Sequence, residues 1–402
     1  MNAICLTIDR LNAGYLGPYG NAWTETPSFD RLAAESFVLD QVLVDTPELE
    51  RLYRSYWHGW HALRRDAPPG DRPSLVELLS QRGVHSLLWT DVPDVAGHAL
   101  AHAFSEHVRF ETPRLQLPAD TIEETHLARC FAAIVDALEE LPEPYLFWGH
   151  LGSLGITWDA PLEYRSQYRD EDDPEPFGSA TVPSMLLGRD HDPDEPLRIA
   201  EAYAGQVSLL DLCLGGLLEY LDQARGPDPT LLVITSPRGF PLGEHRVVGD
   251  YAPSLHGPLV QVPLILRFPE GLGAAARSQA LIEPADLWAT LLEFWQVERR
   301  PESPTGASLL PLVRGEMKSL RDRLGVVAGA ERGLRTPAWY LRAGEQPELY
   351  AKPDDRWEVN NVAPRFPEIT DAIQAALDQY DQALQADRPT WPPLDDLLLH
   401  GM

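Results

Sequence analysis

Near its start the chain reads Ala3-Ile4-Cys5-Leu6-Thr7-Ile8, followed by Asp9-Arg10-Leu11-Asn12-Ala13-Gly14-Tyr15-Leu16-Gly17-Pro18-Tyr19-Gly20. Six mostly apolar residues in a row suit a strand buried on both faces, and Asp9 then stands at the end of that strand. Comparable short runs recur at residues 84–89, 145–150, 230–235 and 262–267. Between them, amphipathic stretches predict helices over 28–35, 74–81, 121–140, 196–224 and 284–295, with Pro27 and Pro73 opening two of them. Strands alternating with helices imply an α/β fold, a mostly parallel central sheet covered by helices on both faces.

Further along, residues 168–196 are rich in Pro, Asp and Glu and read as a long surface excursion. The composition shifts at Arg299-Arg300-Pro301-Glu302-Ser303-Pro304, which places a boundary between an α/β domain over 1–300 and a small C-terminal α+β subdomain over 301–402. In that subdomain the alternating stretches 324–328, 338–342 and 348–351 predict a small antiparallel sheet. A helix over about 367–386 and an extended tail over 388–402 follow.

Composition narrows the function classes. The 402 residues are 44% hydrophobic and 23% charged, a globular balance with room for two or three domains. Against 33 Lys and Arg stand 61 Asp and Glu, for a net charge of −28, which argues against a nucleic-acid binder. Only two of the basic residues are lysines, Lys318 and Lys352. Cys5, Cys130 and Cys213 lie far apart and form no metal or disulfide pattern. No run of about 18 apolar residues is present and the N-terminal residues read as a strand, so with Met1 as the start a cytoplasmic protein without membrane attachment is expected.

The opening run Leu6–Gly20 resembles the first strand and loop of the sulfatases, members of the alkaline phosphatase superfamily. Thr26-Pro27-Ser28-Phe29-Asp30-Arg31-Leu32-Ala33 is similar to that family's first helix. Arg72-Pro73-Ser74-Leu75-Val76-Glu77-Leu78-Leu79, Leu242-Gly243-Glu244-His245 and Pro258-Leu259-Val260-Gln261-Val262-Pro263-Leu264-Ile265 resemble later segments in the same order. Leu334-Arg335-Thr336, Pro347-Glu348-Leu349-Tyr350 and Asn360-Asn361-Val362-Ala363 resemble the C-terminal subdomain, so the likeness spans nearly the whole chain.

The resemblance implies a chemistry that these residues do not carry. A sulfatase attacks with formylglycine, made from the cysteine of a Cys-x-Pro-x-Arg motif, while calcium neutralises the sulfate oxygens. Here Leu49 stands at the cysteine position, Arg51 at the proline and Tyr53 at the arginine. Of the expected metal ligands Asp9 is kept, but Arg10, Pro237 and Arg238 occupy the other positions. Gly155 replaces the histidine that assists the leaving group, and no lysine precedes Lys318. No cofactor is therefore expected, neither calcium nor formylglycine.

An Asp9 stripped of its cation would be an uncompensated charge, and pairing with Arg238 or Arg10 would restore neutrality. Asp9, Arg10, Arg51, Ser153, Arg238 and His245 then form the candidate ligand pocket. The basic, aromatic-rich stretch 51–65 suits an anionic or sugar-bearing ligand, or equally a helix packing its aromatics inward. His98 and His102, four apart, read as ordinary surface histidines, and Glu244-His245 as a loop brace. Thr46, Ser55 or Ser153 could replace the nucleophile only if something activated the hydroxyl. The leading expectation is a pseudo-sulfatase that binds a small anion or a protein partner. The alternatives are a sulfuric- or phosphoric-ester hydrolase with a non-standard site, and a structural or assembly role.

Overall fold

A computed structural model describes residues 1–66, 72–225, 230–251, 254–298, 306–386 and 389–401. The chain divides into two compact units, interleaved along the sequence. One comprises Met1–Val38, Gly83–Ala252 and Val262–Arg277, the other Leu39–Arg82, Pro253–Gln261 and Ser278–Met402. The proposed boundary at 299–304 lies outside the described residues.

In chain order the strands are β1 (Asn2–Ile8), β2 (Phe37–Val42), β3 (His85–Thr90), β4 (Glu106–Arg109), β5 (Tyr145–Leu151), β6 (Met185–Leu186), β7 (Thr230–Thr235), β8 (Val247–Val248), β9 (Leu264–Arg267) and β10 (Ala276–Ile282). The main sheet runs β10-β2-β9-β7-β1-β5-β3-β4, and β6 pairs with β8 in a separate ribbon. β1 is parallel to both β5 and β7, β3 is parallel to β5 and β4, and β9 is antiparallel to β7. Every residue of β1 and β5 is buried, so both faces of the sheet are covered. The α/β expectation is met in a mostly parallel sheet. β2, β4 and β10 escape the sequence reading because charged or amide side chains interrupt their apolar pattern, as in Glu106-His107-Val108-Arg109.

The core of the first unit forms where Ile4, Leu6 and Ile8 of β1 meet Leu127, Cys130, Ile134 and Leu138 of the helix His126–Glu140 and Ile199, Tyr203, Leu210 and Leu214 of the helix Asp194–Arg225. Thr125 Oγ1 accepts the Ala128 amide at 3.3 Å and fixes the start of the former helix later than residue 121; the residues before it make a 3-10 turn, Ile122–Glu124. The excursion over 168–196 holds the two-residue β6 and then the first turn of the long helix, which begins at Asp194.

In the second unit, β11 (Leu324–Ala328), β12 (Glu331–Arg335), β13 (Trp339–Ala343) and β14 (Glu348–Ala351) form a four-stranded antiparallel sheet. The helix Pro367–Leu384 packs Ile369, Ile373, Leu377 and Tyr380 into its core. Two expectations are corrected. Ser74, rather than Pro73, organises the entry of the helix Leu75–Ser80, exchanging hydrogen bonds with Glu77 in a capping box. The tail is not wholly extended, because Asp396–His400 turns into a short helix with Leu398 buried. No helix among the described residues is long and apolar enough to cross a membrane.

Gly205 lets the helix Leu162–Ser166 lie against the long helix: a Cβ there would stand 2.7 Å from the Tyr164 carbonyl oxygen and 2.8 Å from its carbon. Backbone cannot yield as a side-chain tip can, so Gly205→Ala should cost about 1–3 kcal/mol. Urea unfolding should show a lower midpoint at unchanged slope.

Candidate functional site

Because β1, β3, β5 and β7 run parallel, their carboxyl ends lie along one edge of the sheet, the position where open α/β sheets hold their ligands. Backbone bonds tie three of these ends together. The Asp9 amide donates to the Leu151 carbonyl at 2.8 Å, and the Arg10 amide to the Arg238 carbonyl at 3.0 Å. Ser236 Oγ donates to the Arg238 carbonyl at 2.6 Å and accepts from the Leu11 amide at 3.3 Å. Arg10 sits in the left-handed region (φ 68°), an uncommon conformation for a side chain with a Cβ. The Tyr203 hydroxyl holds it there, donating to the Arg10 carbonyl at 2.6 Å and accepting from the Asn12 amide at 2.8 Å.

On this frame Asp9 and Arg238 form a fork. Arg238 Nε donates to Asp9 Oδ1 and Nη2 to Oδ2, both at 2.9 Å. Arg10 Nε lies 3.9 Å from the same Oδ1, while Arg10 Nη2 donates to Asp250 and Nη1 reaches the Gly239 carbonyl at 3.5 Å. The pairing inferred from the sequence is therefore present, with Arg238 as the principal partner. Arg10 is 1% exposed and Arg238 22%. Two guanidinium groups thus face two carboxylates. Burial pushes the Asp9 carboxyl up, but the charges of Arg238 and then Arg10 outweigh it and hold the group at about 2.

Gly155 explains how Arg10 fits. A Cβ on residue 155 would stand 2.9 Å from Arg10 Cγ and 3.7 Å from its Nε, so the arginine stem occupies the space a side chain would need. Ser153, also buried, is held at φ 35°. His150 at the end of β5 sets Nδ1 3.3 Å from Thr7 Oγ1, and burial pulls its imidazole below the ordinary value. Among the remaining candidates, Glu244 accepts the Leu242 amide at 2.6 Å and so braces its loop, and His245 adopts φ 53°. His98 is not a surface histidine: it is buried and caps a 3-10 turn, its Nδ1 accepting the Leu100 amide at 3.1 Å.

Leu49, Arg51 and Tyr53 belong to the second unit, at the start of the helix Leu49–His58. Arg51 lies 3.4 Å from the Glu48 carboxylate and also donates to the Ala62 carbonyl. Tyr53, Tyr56, Trp57 and Trp60 are buried, with the Tyr53 and Trp57 rings 4.3 Å apart, so this aromatic stretch packs inward. Thr46 Oγ1 accepts the Glu48 amide at 3.2 Å, and Ser55 Oγ donates to Asp45 at 2.5 Å. The sequence reading missed Asp250 and Tyr203, for which linear spacing carries no signal.

The donor set at the end of β1 does not suit calcium, which takes six to eight oxygens from carboxylates, carbonyls and water. Both Asp9 oxygens are engaged by Arg238, Arg10 adds a second positive charge beside them, and Pro237 offers no side-chain donor. A model of the family described as Sulfatase matches residues 1–297. The chain belongs to the sulfatase family. It is 35% identical to an N-acetylglucosamine-6-O-sulfatase of Bacteroides thetaiotaomicron over 120 residues, 30% of this chain and 21% of that protein. It is 27% identical to the multifunctional alkaline phosphatase superfamily protein PehA of Trinickia caryophylli over 191 residues, 41% and 37% of the two chains. The chain thus spans well under half the length of these two curated relatives. Among solved structures, the phosphonate monoester hydrolase of Agrobacterium radiobacter superposes with a TM-score of 0.77 over 96% of both chains at 15% identity. A protein solved with its substrate D-glucosamine-2-N,6-O-disulfate superposes at 0.74 over 96% of this chain and 99% of its own, at 18% identity.

Two outcomes follow for this sulfatase-family site. The depressed Asp9 contributes stability that is complete above the unfolded carboxyl value of about 3.9 and is lost as pH falls towards 2, about 2 kcal/mol in all. Asp9→Asn should flatten the stability profile between pH 5 and 2, read from urea midpoints at each pH. Gly155→Ala should cost about 1–3 kcal/mol in the wild type and much less beside Arg10→Ala. A double-mutant cycle should return a coupling of about 1 kcal/mol or more.

Proposed function

We propose that this member of the sulfatase family does not turn over sulfate esters and that its fold serves binding. One observation carries the reading: the Asp9 carboxylate, the family's first metal ligand, is held on both oxygens by Arg238, at a position the family gives to another ligand. Cation binding there would require breaking a buried fork and placing a dication beside Arg10, both strongly unfavourable. The accompanying residues agree. Leu49 has no nucleophilic atom, and Gly155 leaves its space to the Arg10 stem.

Relatives carry names for sulfated sugars and for phosphonate monoesters, so anionic esters are the ligand class to test first. Arg238, the more exposed of the two guanidinium groups, is the contact for such an anion; a protein partner is the other occupant consistent with a retained fold. The experiment is an assay of aryl sulfate, phosphate monoester and phosphonate monoester with calcium or magnesium supplied. No rate above the uncatalysed one is expected, and calcium should leave the melting temperature unchanged. A reproducible turnover that Asp9→Ala or Arg238→Ala abolishes, with circular dichroism preserved, would establish a non-standard hydrolase instead.

A further inference from the structure

One strand over from β5, the end of β3 carries a second buried carboxylate, Asp91. It meets two side chains of the helix His126–Glu140 that lie one turn apart, His126 and Cys130. His126 Nε2 is 2.7 Å from Asp91 Oδ2 and 3.4 Å from Cys130 Sγ, and Sγ is 3.9 Å from Oδ2. All three residues are buried, and the cysteine side chain has no exposed surface.

We propose that Asp91 Oδ2, His126 Nε2 and Cys130 Sγ are three ligands of a structural site for zinc or a zinc-like divalent ion. Zinc bonds of about 2.0–2.3 Å to oxygen, nitrogen and sulfur at tetrahedral angles put such ligand atoms roughly 3.3–3.6 Å apart. To reach that triangle the Asp91–His126 edge opens by about 0.6 Å and the Asp91–Cys130 edge closes by about 0.3 Å, and a water would complete the tetrahedron. The chemistry selects the ion: a thiolate and an imidazole beside one carboxylate suit zinc, whereas calcium and magnesium demand oxygens. The charges close as well, since a dication with one carboxylate, one thiolate and a neutral imidazole is neutral overall and can be buried at little cost. Binding displaces the Cys130 thiol proton to solvent, shifts the His126 proton from Nε2 to Nδ1, and exchanges the His126–Asp91 hydrogen bond for two bonds to the ion.

One outer contact already holds a ligand atom: the Gly152 amide donates to Asp91 Oδ1 at 2.7 Å, leaving Oδ2 for the ion. The His126 backbone amide donates to Asp159 Oδ2 at 2.8 Å and fixes the start of its helix. A thiol nucleophile is the competing role for a Cys-His-Asp cluster, but a sulfur without exposed surface cannot meet a substrate.

The full chain, produced in cobalt-supplemented medium and passed over a weak chelator, should retain one equivalent of cobalt(II). Its spectrum should show the near-ultraviolet thiolate-to-cobalt band. Zinc should displace the cobalt and abolish the band. Cys130→Ala should remove the band and His126→Ala should lower retained metal at least tenfold, while Asp9→Asn and Cys213→Ser leave both unchanged. A wild-type chain without stoichiometric metal, metal without the thiolate band, or a band that survives Cys130→Ala overturns the assignment. The wild-type spectrum decides alone if a variant does not fold. An ion lost with Asp9→Asn and kept with Cys130→Ala would instead overturn the reading of the β1 end.

Discussion

The Asp9–Arg238 fork is the constraint around which the carboxyl edge of the sheet is arranged. A carboxylate at the end of a fully buried strand must have a counter-charge, because an unpaired buried ion costs several kcal/mol. Arg238 supplies it on both oxygens and is itself placed by Ser236 and by the Arg10 amide. Arg10 then needs a partner of its own, finds Asp250, and requires a glycine at 155 for its stem. Arg10, Gly155 and Arg238 are therefore one physical solution and not three independent features. Exchanging any one of them alone would create a clash or an unpaired charge.

That coupling separates what the fold carries from what the site carries. The main sheet and the helices packed on β1 lie within residues 1–297, the span that matches the sulfatase family. None of these elements depends on the identity of residues 10, 155 or 238 beyond their fit, so the scaffold persists whichever counter-charge stands at its edge. The helix Leu49–His58 shows the same independence. Its buried aromatic face is a packing feature, and Leu49 at its first position is compatible with a helix start while supplying no reactive atom.

Much of this was legible in the sequence because burial on both faces writes an unbroken apolar run. The span 230–235 coincides with β7, and β1, β3 and β5 fall within one residue of the spans read for them. β4 and β10 carry polar residues in succession, Glu106-His107 and Arg277-Ser278-Gln279, and β12 carries Glu331, Arg332 and Arg335, so neither apolar length nor periodicity marks them. The Asp9–Arg238 pair was readable because a family pattern aligned two distant segments on one site. Asp250, which balances Arg10, follows no pattern. Cys130 was read as part of no metal set because spacing along one segment cannot show that the end of β3 lies beside its helix.

The two buried carboxylates of this edge show why the kind of counter-charge matters. At Asp9 the partners are guanidinium groups, which are permanently protonated and can neither coordinate an ion nor give up their place to one without leaving a second charge behind. At Asp91 the partners are an imidazole and a thiol, both of which become ligands by losing or shifting a proton. The two carboxylates therefore differ in what they allow: the fork at Asp9 leaves no oxygen for a cation, whereas the ion proposed at the end of β3, two strands away, would be taken up by exchange of protons.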